Sequence, residues 1–198
     1  MADLVLQRIR LPGSELQLQQ PEEGAEIPDD HQVEWAPIAP YWTILWRSGV
    51  ALARELEHAP LQGKRVVELG CGLGVPSLAA ALGGAEVLAT DTEGEALELV
   101  ERNAALNGVR IETARVDWAA PQELIARAPF DLVLGADVLY ERPNVARLLK
   151  LLPQLAPEAW LAEPGRSAAD AFLEQAEKRW QLETTRRGVV RIHKVRFS

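Results

Sequence analysis

The sequence has few of the residues that hold metal ions or form disulfides. Only one of its 198 residues is a cysteine, so an internal disulfide is excluded. Its three histidines, His31, His58 and His193, show no metal-ligand spacing. We therefore predict that each histidine lies on the surface and that the chain has no metal site. Cys71 lies between two glycines, where a small side chain is expected rather than a nucleophile.

Long apolar runs are also absent. No stretch is long enough to cross a membrane, and the first residues lack the charged-then-apolar pattern of a secretory signal. We expect a soluble, cytoplasmic protein with no membrane partner. With 198 residues, 47% of them hydrophobic, the chain can bury one full core and needs no second domain. A monomer is the expected state.

Basic residues are outnumbered by acidic ones, 21 to 29, and the net charge of −8 disfavours broad binding to a nucleic-acid backbone. The balance reverses near the C-terminus, because residues 186–198 contain several cations and no acid. This pattern predicts a solvated edge hairpin, and a docking patch for an acidic partner is the alternative.

What the sequence does contain is a continuous strand–turn–helix–strand pattern at residues 66–91, VVELGCGLGVPSLAAALGGAEVLATD. Gly70, Gly72 and Gly74 alternate after the first strand, where they permit left-handed backbone angles and close approach of a ligand. The second strand ends at Asp91, whose carboxylate can accept hydrogen bonds from both hydroxyls of a ribose. The pattern predicts a βαβ unit that binds a nucleoside. The glycines alone are also compatible with a tight structural turn.

The spacing of this turn distinguishes between nucleoside cofactors. A dinucleotide-binding unit has G-x-G-x-x-G and holds a pyrophosphate at a helix N-terminus, whereas this chain has E-x-G-x-G-x-G. The carboxylate of Glu68 repels phosphate but suits a cationic amino group. One such group is the α-amino end of S-adenosylmethionine (SAM), which we predict as the cofactor.

Strand and helix patterns alternate along the rest of the chain. Residues 3–20 predict a β-hairpin, and the prolines of residues 21–40 predict a connector. Helices are predicted at 43–56, 93–106, 121–127, 144–152 and 167–179, and strands at 110–116, 130–136, 158–162 and on both sides of Arg187 and Gly188. The predicted fold is α/β, a three-layer Rossmann-like sandwich with a mostly parallel sheet that closes in an antiparallel C-terminal hairpin.

The order of the motifs resembles that of the seven-β-strand SAM-dependent methyltransferases, and more narrowly the protein-lysine methyltransferases, including those that act on the electron-transfer flavoprotein β-subunit. The matching segments are PYWTILWRSGVALARELE (40–57), VVELGCGLG (66–74), ATD (89–91), VDW (116–118), FDLVLGADVLYE (130–141) and AEPGR (162–166). The resemblance implies a methyltransferase domain at 41–198, preceded by the hairpin and connector at 1–40. It also implies methyl transfer to an amine nitrogen, that of a protein lysine in the first instance.

Together, the glycine pattern and the resemblance imply a cofactor site made of Trp46, Glu68, Gly70, Cys71, Gly72, Gly74, Asp91, Asp117, Trp118 and Ala136. Nearly all of them lie close to the carboxyl ends of predicted strands, where open α/β sheets bind ligands. Asp117 is expected to accept from the adenine amino group and Trp118 to cover the ring. The alternative for Trp118 is a core aromatic at a strand end.

The segment GADVLYE at 135–141 is predicted to be the chemical centre. Asp137 is expected to position the acceptor amine and help pass its proton to water, and Tyr140 to supply a hydroxyl and an aromatic wall. The alternative is that Asp137 caps the following turn and Tyr140 packs beneath it. Trp42, Glu163 and Arg166 are predicted to contact the acceptor.

Three other functions stay open. They are methylation of a small amine or a histidine, methylation of RNA, and SAM binding without catalysis. A protein with an acidic or mixed surface around its lysine is the expected partner, met by Arg166 and the basic C-terminal hairpin. A nucleic-acid partner is not expected.

Overall fold

The computed structural model describes residues 3–22 and 40–197. The strands are β1 (Leu4–Arg10), β2 (Glu15–Pro21), β3 (Arg65–Leu69), β4 (Glu86–Asp91), β5 (Glu112–Arg115), β6 (Leu132–Ala136), β7 (Glu158–Glu163), β8 (Gln181–Arg187) and β9 (Val190–Arg196). The helices are α1 (Arg47–Leu56), α2 (Val75–Leu82), α3 (Gly94–Leu106), α4 (Gln122–Ile125), α5 (Arg142–Leu155) and α6 (Ser167–Ala176). Most of the predicted connector at 21–40 falls outside the described residues.

Seven strands form one sheet in the order β5-β4-β3-β6-β7-β9-β8. The first five run parallel, and β9 is antiparallel to both β7 and β8. Strands β3 and β6 are buried over almost their whole length, as expected for strands covered on both faces. Helices α1, α2 and α3 cover one face, and α4, α5 and α6 cover the other. The predicted three-layer Rossmann-like fold with an antiparallel C-terminal hairpin is confirmed.

The predicted N-terminal hairpin is also confirmed, as an antiparallel pair of β1 and β2. It packs on α3, where two asparagine side chains bind the backbone of β2. Asn107 accepts from the Gln17 amide at 2.8 Å and donates to its carbonyl at 2.7 Å. Asn103 does the same at Gln19, at 2.8 and 3.0 Å. Because α3 follows β4, the hairpin covers the outside of the predicted nucleoside-binding unit.

Helix α1 begins later than predicted. The sequence pattern placed its start at Thr43, but residues 41–43 form a 3-10 turn and the backbone at Ile44 and Trp46 is extended. Leu45 and Trp46 belong to the apolar pattern that predicted the helix, but both precede it, and Leu45 is buried without being helical. Trp46 is therefore the residue before α1 rather than part of it. The other predicted elements agree with the structure to within three residues at each end.

The strand order fixes where a ligand can bind. From β3 the chain proceeds to β4 and β5 on one side and then crosses to β6 on the other. The loops after β3 and β6 thus leave the sheet in opposite directions, which opens a crevice at the carboxyl ends of these strands. The glycine turn follows β3, and the segment GADVLYE completes and follows β6.

Candidate active site

A cavity of about 660 Å³ opens at this crevice, a volume typical of small-molecule sites. It is lined by fourteen of the fifteen predicted site residues: Trp42, Trp46, Glu68, Gly70, Cys71, Gly72, Gly74, Asp91, Asp117, Trp118, Ala136, Asp137, Tyr140 and Arg166. Glu163 does not line it. The topology therefore brings together residues that are up to 124 positions apart in the sequence, from Trp42 to Arg166.

The glycine turn is held in a conformation that side chains would prevent. Gly72 has φ +48, and a Cβ atom there would lie 3.3 Å from the Trp42 carbonyl oxygen. At Gly74, with φ +72, a Cβ atom would lie 2.7 Å from Val100 in α3. Gly74 is thus required by helix packing, and Gly72 by the approach of the segment before α1.

Asp91 at the end of β4 is fixed to this turn. Its Oδ2 accepts a hydrogen bond from the Gly72 amide at 2.9 Å, and its Oδ1 accepts from the Glu93 amide at 3.1 Å. Each carboxylate oxygen keeps a further lone pair. Because the side chain also lines the cavity, these lone pairs are suited to the two hydroxyls of a ribose.

Glu68 is buried at the end of β3, with 1% of its surface exposed. Its Oε2 accepts hydrogen bonds from the amide of Ser77 at 2.9 Å and from the hydroxyl at 2.5 Å. Burial raises the pKa of Glu68 to about 8, although the Ser77 hydrogen bonds act against this and the Asp91 charge adds to it. The contact with a cationic amino group stays a prediction.

Asp117 and Trp118 follow β5 and close another side of the cavity. Asp117 Oδ1 accepts from the Ala119 amide at 2.8 Å, which fixes the carboxylate at the rim. The Trp118 ring is half-buried, and its Cζ2 lies 3.3 Å from where a Cβ atom on Gly70 would be. Trp118 therefore lines the cavity and packs against the core at once.

Asp137 has an unusual backbone conformation. It follows β6 with φ +56, the one positive φ at a non-glycine residue in the described part of the chain. Its amide donates to Ala162 O at 2.8 Å, and its Oδ1 accepts from Arg166 Nε at 3.1 Å. Burial raises the pKa of Asp137, partly offset by the Arg166 charge and the Ser48 hydroxyl. Helix α5 has no side-chain cap, so Asp137 does not cap this helix. That Asp137 caps the turn directly after it stays an alternative.

Tyr140 does not pack beneath the turn, because 49% of its surface is exposed. Its ring centroid lies 6.3 Å from that of Tyr41, which in turn lies 6.4 Å from Trp46. The Arg166 guanidinium stands over Trp46, 5.7 Å from the ring centroid. Three aromatic rings and a cation thus form the mouth of the cavity.

Sequence reasoning missed Tyr41, Asn144 and Arg147, which also line the cavity. Asn144 is four residues after Tyr140, and its position in the first turn of α5 brings it beside that ring. Tyr41 is next to Trp42 in the sequence, and this pair of aromatic residues before α1 was the signal that could have indicated Tyr41 as a site residue. Arg147 donates to Asn144 Oδ1 at 3.2 Å, one turn along the same helix face.

The prediction that Glu163 contacts the acceptor is wrong. Its carboxylate is 1% exposed and lies behind the cavity, at the end of β7. The prediction of a surface position is also wrong for His193, which is fully buried against Glu163. His58 is exposed as predicted, and His31 lies outside the described residues. The described residues contain no group of three metal-ligating side chains and no helix long and apolar enough to span a bilayer.

The basic C-terminal run is an edge hairpin, as predicted, with β8 at the sheet edge. Its cations are largely paired within the chain. Arg187 and Lys194 donate to Glu55 at 2.9 and 2.8 Å, and Arg191 contacts Glu163 and Asp170. These pairs tie the hairpin to α1 and α6. The docking of an acidic partner on the hairpin stays a prediction.

Comparison with known proteins gives the family. A family described as lysine methyltransferase matches residues 41–178. The chain belongs to this family. The family that the order of motifs resembled is therefore confirmed, over more than two thirds of the chain.

Two curated relatives illustrate the match. The chain is 38% identical over 143 residues to the electron transfer flavoprotein beta subunit lysine methyltransferase of Xenopus laevis, covering 67% of this chain and 56% of the relative. It is 35% identical over 120 residues to protein N-lysine methyltransferase METTL21A of Danio rerio, covering 57% of this chain and 55% of the relative. The chain spans about half the length of these relatives.

A solved structure shows the same fold. The 16S rRNA N2 G1207 methyltransferase RsmC of T. thermophilus, in complex with AdoMet and guanosine, aligns with a TM-score of 0.73 and 16% sequence identity. The alignment covers 100% of this chain and 52% of that one. At this identity the likeness concerns the fold, and the acceptor must be argued from the site.

Proposed function

We propose that the protein is a SAM-dependent methyltransferase whose acceptor is the side-chain amine of a lysine in another protein. The observation that carries the proposal is Asp137, held in a left-handed conformation at the cavity beside Tyr140, in a chain of the lysine methyltransferase family. Strained residues of this kind persist where surrounding contacts hold them, and they concentrate at functional sites.

The residues of the cavity fit SAM better than a dinucleotide. In dinucleotide folds the free amides at the N-terminus of the first helix bind the pyrophosphate. Here the amide of Ser77, in the first turn of α2, donates to the Glu68 carboxyl. A phosphate would lose this amide and face a carboxyl group. Asp91 keeps acceptor capacity for a ribose, and SAM has a ribose, a cationic amino group and no phosphate.

SAM supplies a sulfonium methyl group, and transfer to an amine is an in-line displacement. The protein must therefore align the acceptor amine with the methyl group, exclude water from the site and accept or pass on the proton of the amine. Tyr140 and Tyr41 offer aromatic faces for the methylene chain and charge of a lysine. Asp137 offers a carboxylate to the amine, held by Arg166. The exposure of both tyrosines is consistent with an acceptor that enters from a separate macromolecule.

The acceptor can be identified directly. Purified protein is incubated with radiolabelled SAM and a lysate, and the labelled product is treated with protease or with RNase before peptide mass spectrometry. Protease should remove the signal, RNase should not, and the modified residue should be a lysine. Label on a histidine side chain, on RNA or on a small amine would support one of the alternative acceptors instead.

SAM and S-adenosylhomocysteine should stabilise the folded protein by mass action. At a ligand concentration a hundred times the dissociation constant, the free energy of unfolding should rise by about 2.7 kcal/mol. Thermal or urea unfolding with increasing ligand measures this increase. NAD at the same concentrations is the control and should have no effect, because the pyrophosphate has no amide site at α2. Stabilisation by NAD but not by SAM would contradict the cofactor assignment.

Asp91→Asn should weaken SAM binding by about 1 to 3 kcal/mol, because the ribose hydroxyls lose a charged acceptor in a partly desolvated site. Calorimetric titration measures the dissociation constant. Glu86→Gln is a matched control, since Glu86 lies at the opposite end of β4, is exposed and does not line the cavity. An unchanged dissociation constant in Asp91→Asn would leave Asp91 as a support of the glycine turn only.

A further inference from the structure

The carboxyl end of β7 contains a buried carboxylate whose two oxygens bind two different parts of the molecule. Glu163 Oε2 accepts from the backbone amides of Gly165 and Arg166, at 2.6 and 2.8 Å. Its Oε1 accepts from Arg191 Nε at 2.5 Å and from His193 Nε2 at 3.0 Å, both on β9. One side chain thus connects the loop after β7 to the strand beside it.

This loop leads directly to the candidate catalytic residue. The amide of Arg166 is bound by Glu163, and its side chain returns over the sheet to Asp137 Oδ1 at 3.1 Å. The backbone also connects Asp137 to β7, since the Asp137 amide donates to Ala162 O at 2.8 Å. The left-handed conformation of Asp137 is strained for a residue with a side chain, so it depends on contacts such as these.

We propose that Glu163 is a positioning residue for methyl transfer, which holds the turn at 165–166 so that Arg166 keeps the Asp137 carboxylate directed at the acceptor. The inference rests on the proposed function and extends it to a residue that touches neither cofactor nor substrate. It also explains why a carboxylate is buried where no ligand reaches it.

The contacts from β9 keep Glu163 charged for this task. Burial alone would raise its pKa, but the hydrogen bonds from His193 and Arg191 and from the two loop amides outweigh it and lower the pKa to about 2. The carboxylate is therefore ionised at neutral pH, and ionised acceptors make the stronger hydrogen bonds to backbone amides.

The chain offers a matched pair of substitutions. Glu163→Ala removes the acceptor of both loop amides, and single-turnover methyl transfer should fall about 10- to 100-fold, as expected when a reacting group is displaced by a fraction of an ångström to one ångström. Glu55→Ala removes another buried carboxylate that binds two cations of the same hairpin, Arg187 and Lys194. Both variants should lower Tm, but Glu55→Ala should keep the wild-type rate.

Glu163→Asp separates the two sets of contacts. A shorter carboxylate binds amides two and three residues further on with ease, as in Asx turns, but it draws back from Arg191 and His193. This variant should lose stability and yet keep the methyl-transfer rate within about threefold of wild type. A rate loss as large as in Glu163→Ala would mean that the hydrogen bonds of Glu163 to Arg191 and His193 on β9, and not those to the loop amides, matter for catalysis.

A third variant leaves the Glu163 side chain unchanged. Gly165 has φ +100, and a Cβ atom added there would meet open space, so Gly165→Ala disturbs the turn through its backbone angle alone. Arg166 should then leave Asp137, and the pKa of the Asp137 carboxyl, measured by ¹³C NMR, should rise because a nearby positive charge is lost. If the pKa of Asp137 and the methyl-transfer rate are both the same in Gly165→Ala as in the wild type, the proposal is overturned.

A double-mutant cycle decides whether Glu163 acts through Arg166. If it does, Glu163→Ala combined with Arg166→Ala should be no slower than Arg166→Ala alone. If the rate losses of the two single variants instead multiply in the double variant, the proposal is overturned. Should Glu163→Ala fail to fold, Glu163→Asp and Gly165→Ala still give the answer. A wild-type protein that methylates no lysine would contradict the proposed function, whereas an active wild type with an equally active Glu163→Ala would contradict only this inference.

Discussion

Asp137→Asn should reduce single-turnover methyl transfer by roughly 10²- to 10⁴-fold, the range for a positioned acid-base group. SAM affinity should change by less than about tenfold, because the side chain is assigned to the acceptor rather than to the cofactor. Asparagine has the same shape as aspartate and is among the few residues that tolerate positive φ. The backbone at φ +56 is therefore preserved, and the loss reports on the charge.

The size of this effect follows from the acceptor's own chemistry. A lysine with the usual pKa of about 10.4 is neutral in roughly one molecule in 2,500 at pH 7, equivalent to about 4 to 5 kcal/mol. Asp137 can attract the ammonium form, orient it beside the methyl donor and help pass its proton to water. Its burial raises its own pKa, which makes it a better proton acceptor than an exposed aspartate.

Asp131→Asn is the matched control. Asp131 precedes β6 as Asp137 follows it, and its carboxylate accepts from the Arg65 amide at 2.8 Å, outside the cavity. The same substitution there should leave the rate unchanged. Single-turnover kinetics, paired with SAM calorimetry, avoids confusion with slow product release. Full activity of Asp137→Asn would make the residue structural, and lost SAM affinity with intact turnover at saturating SAM would make it a cofactor ligand.

The parts of the fold that were predictable from sequence are those specified locally. The unit at residues 66–91 has apolar β-branched strands, a glycine turn and a helix within a short stretch, so its pattern needed no distant contact to be interpreted. The start of α1 was not predictable in this way. Leu45 is buried by tertiary packing although it is not helical, and hydrophobic spacing cannot distinguish this from a helix.

The same distinction between local and distant contacts applies to the candidate site. Residues that follow a predicted strand directly, such as Asp91 and Asp137, were placed correctly at the cavity, since the carboxyl ends of parallel strands meet at one edge. Glu163 also ends a strand, but β9 supplies Arg191 and His193 beside it. That pairing of β7 with β9 depends on strand order across the sheet, which no local pattern encodes. The burial of His193 follows from it and was missed for the same reason.

Two buried glutamates near the carboxyl ends of β3 and β7 contrast in their electrostatics. Glu163 accepts hydrogen bonds from cations and backbone amides, which lower its pKa. Among the residues described, the Glu68 carboxyl accepts only from the Ser77 amide and hydroxyl, with Asp91 nearby. Two neutral donors do not replace the water that a carboxylate loses on burial. Glu68 therefore costs the protein stability when it ionises, and this cost can be measured.

The free energy of unfolding should fall by roughly 4 kcal/mol between pH 5 and pH 8 on account of Glu68 alone, at about 1.4 kcal/mol for each pKa unit. The pKa of this carboxyl is raised from 4.5 to about 8 in the folded state. In this window the unfolded chain has released the proton and the folded chain still holds it. Folding thus requires proton uptake, which becomes less favourable as pH rises, so the sign is a loss of stability with increasing pH.

Urea unfolding at several pH values, without added SAM, measures the effect as the difference between wild type and Glu68→Gln. The amide can still accept from Ser77 but does not titrate, and the subtraction removes the contributions of all other groups. The wild type should be favoured relative to Glu68→Gln at pH 5 and lose that advantage by pH 8.

Glu55→Gln is the control of opposite sign, because the hydrogen bond from Lys194 lowers the pKa of Glu55. The difference in free energy of unfolding between wild type and Glu55→Gln should stay constant from pH 5 to 8. It should diminish only as the pH falls below 4.5. Parallel curves for wild type and Glu68→Gln would show that Glu68 is ionised in the folded protein, already provided with a compensating charge or water.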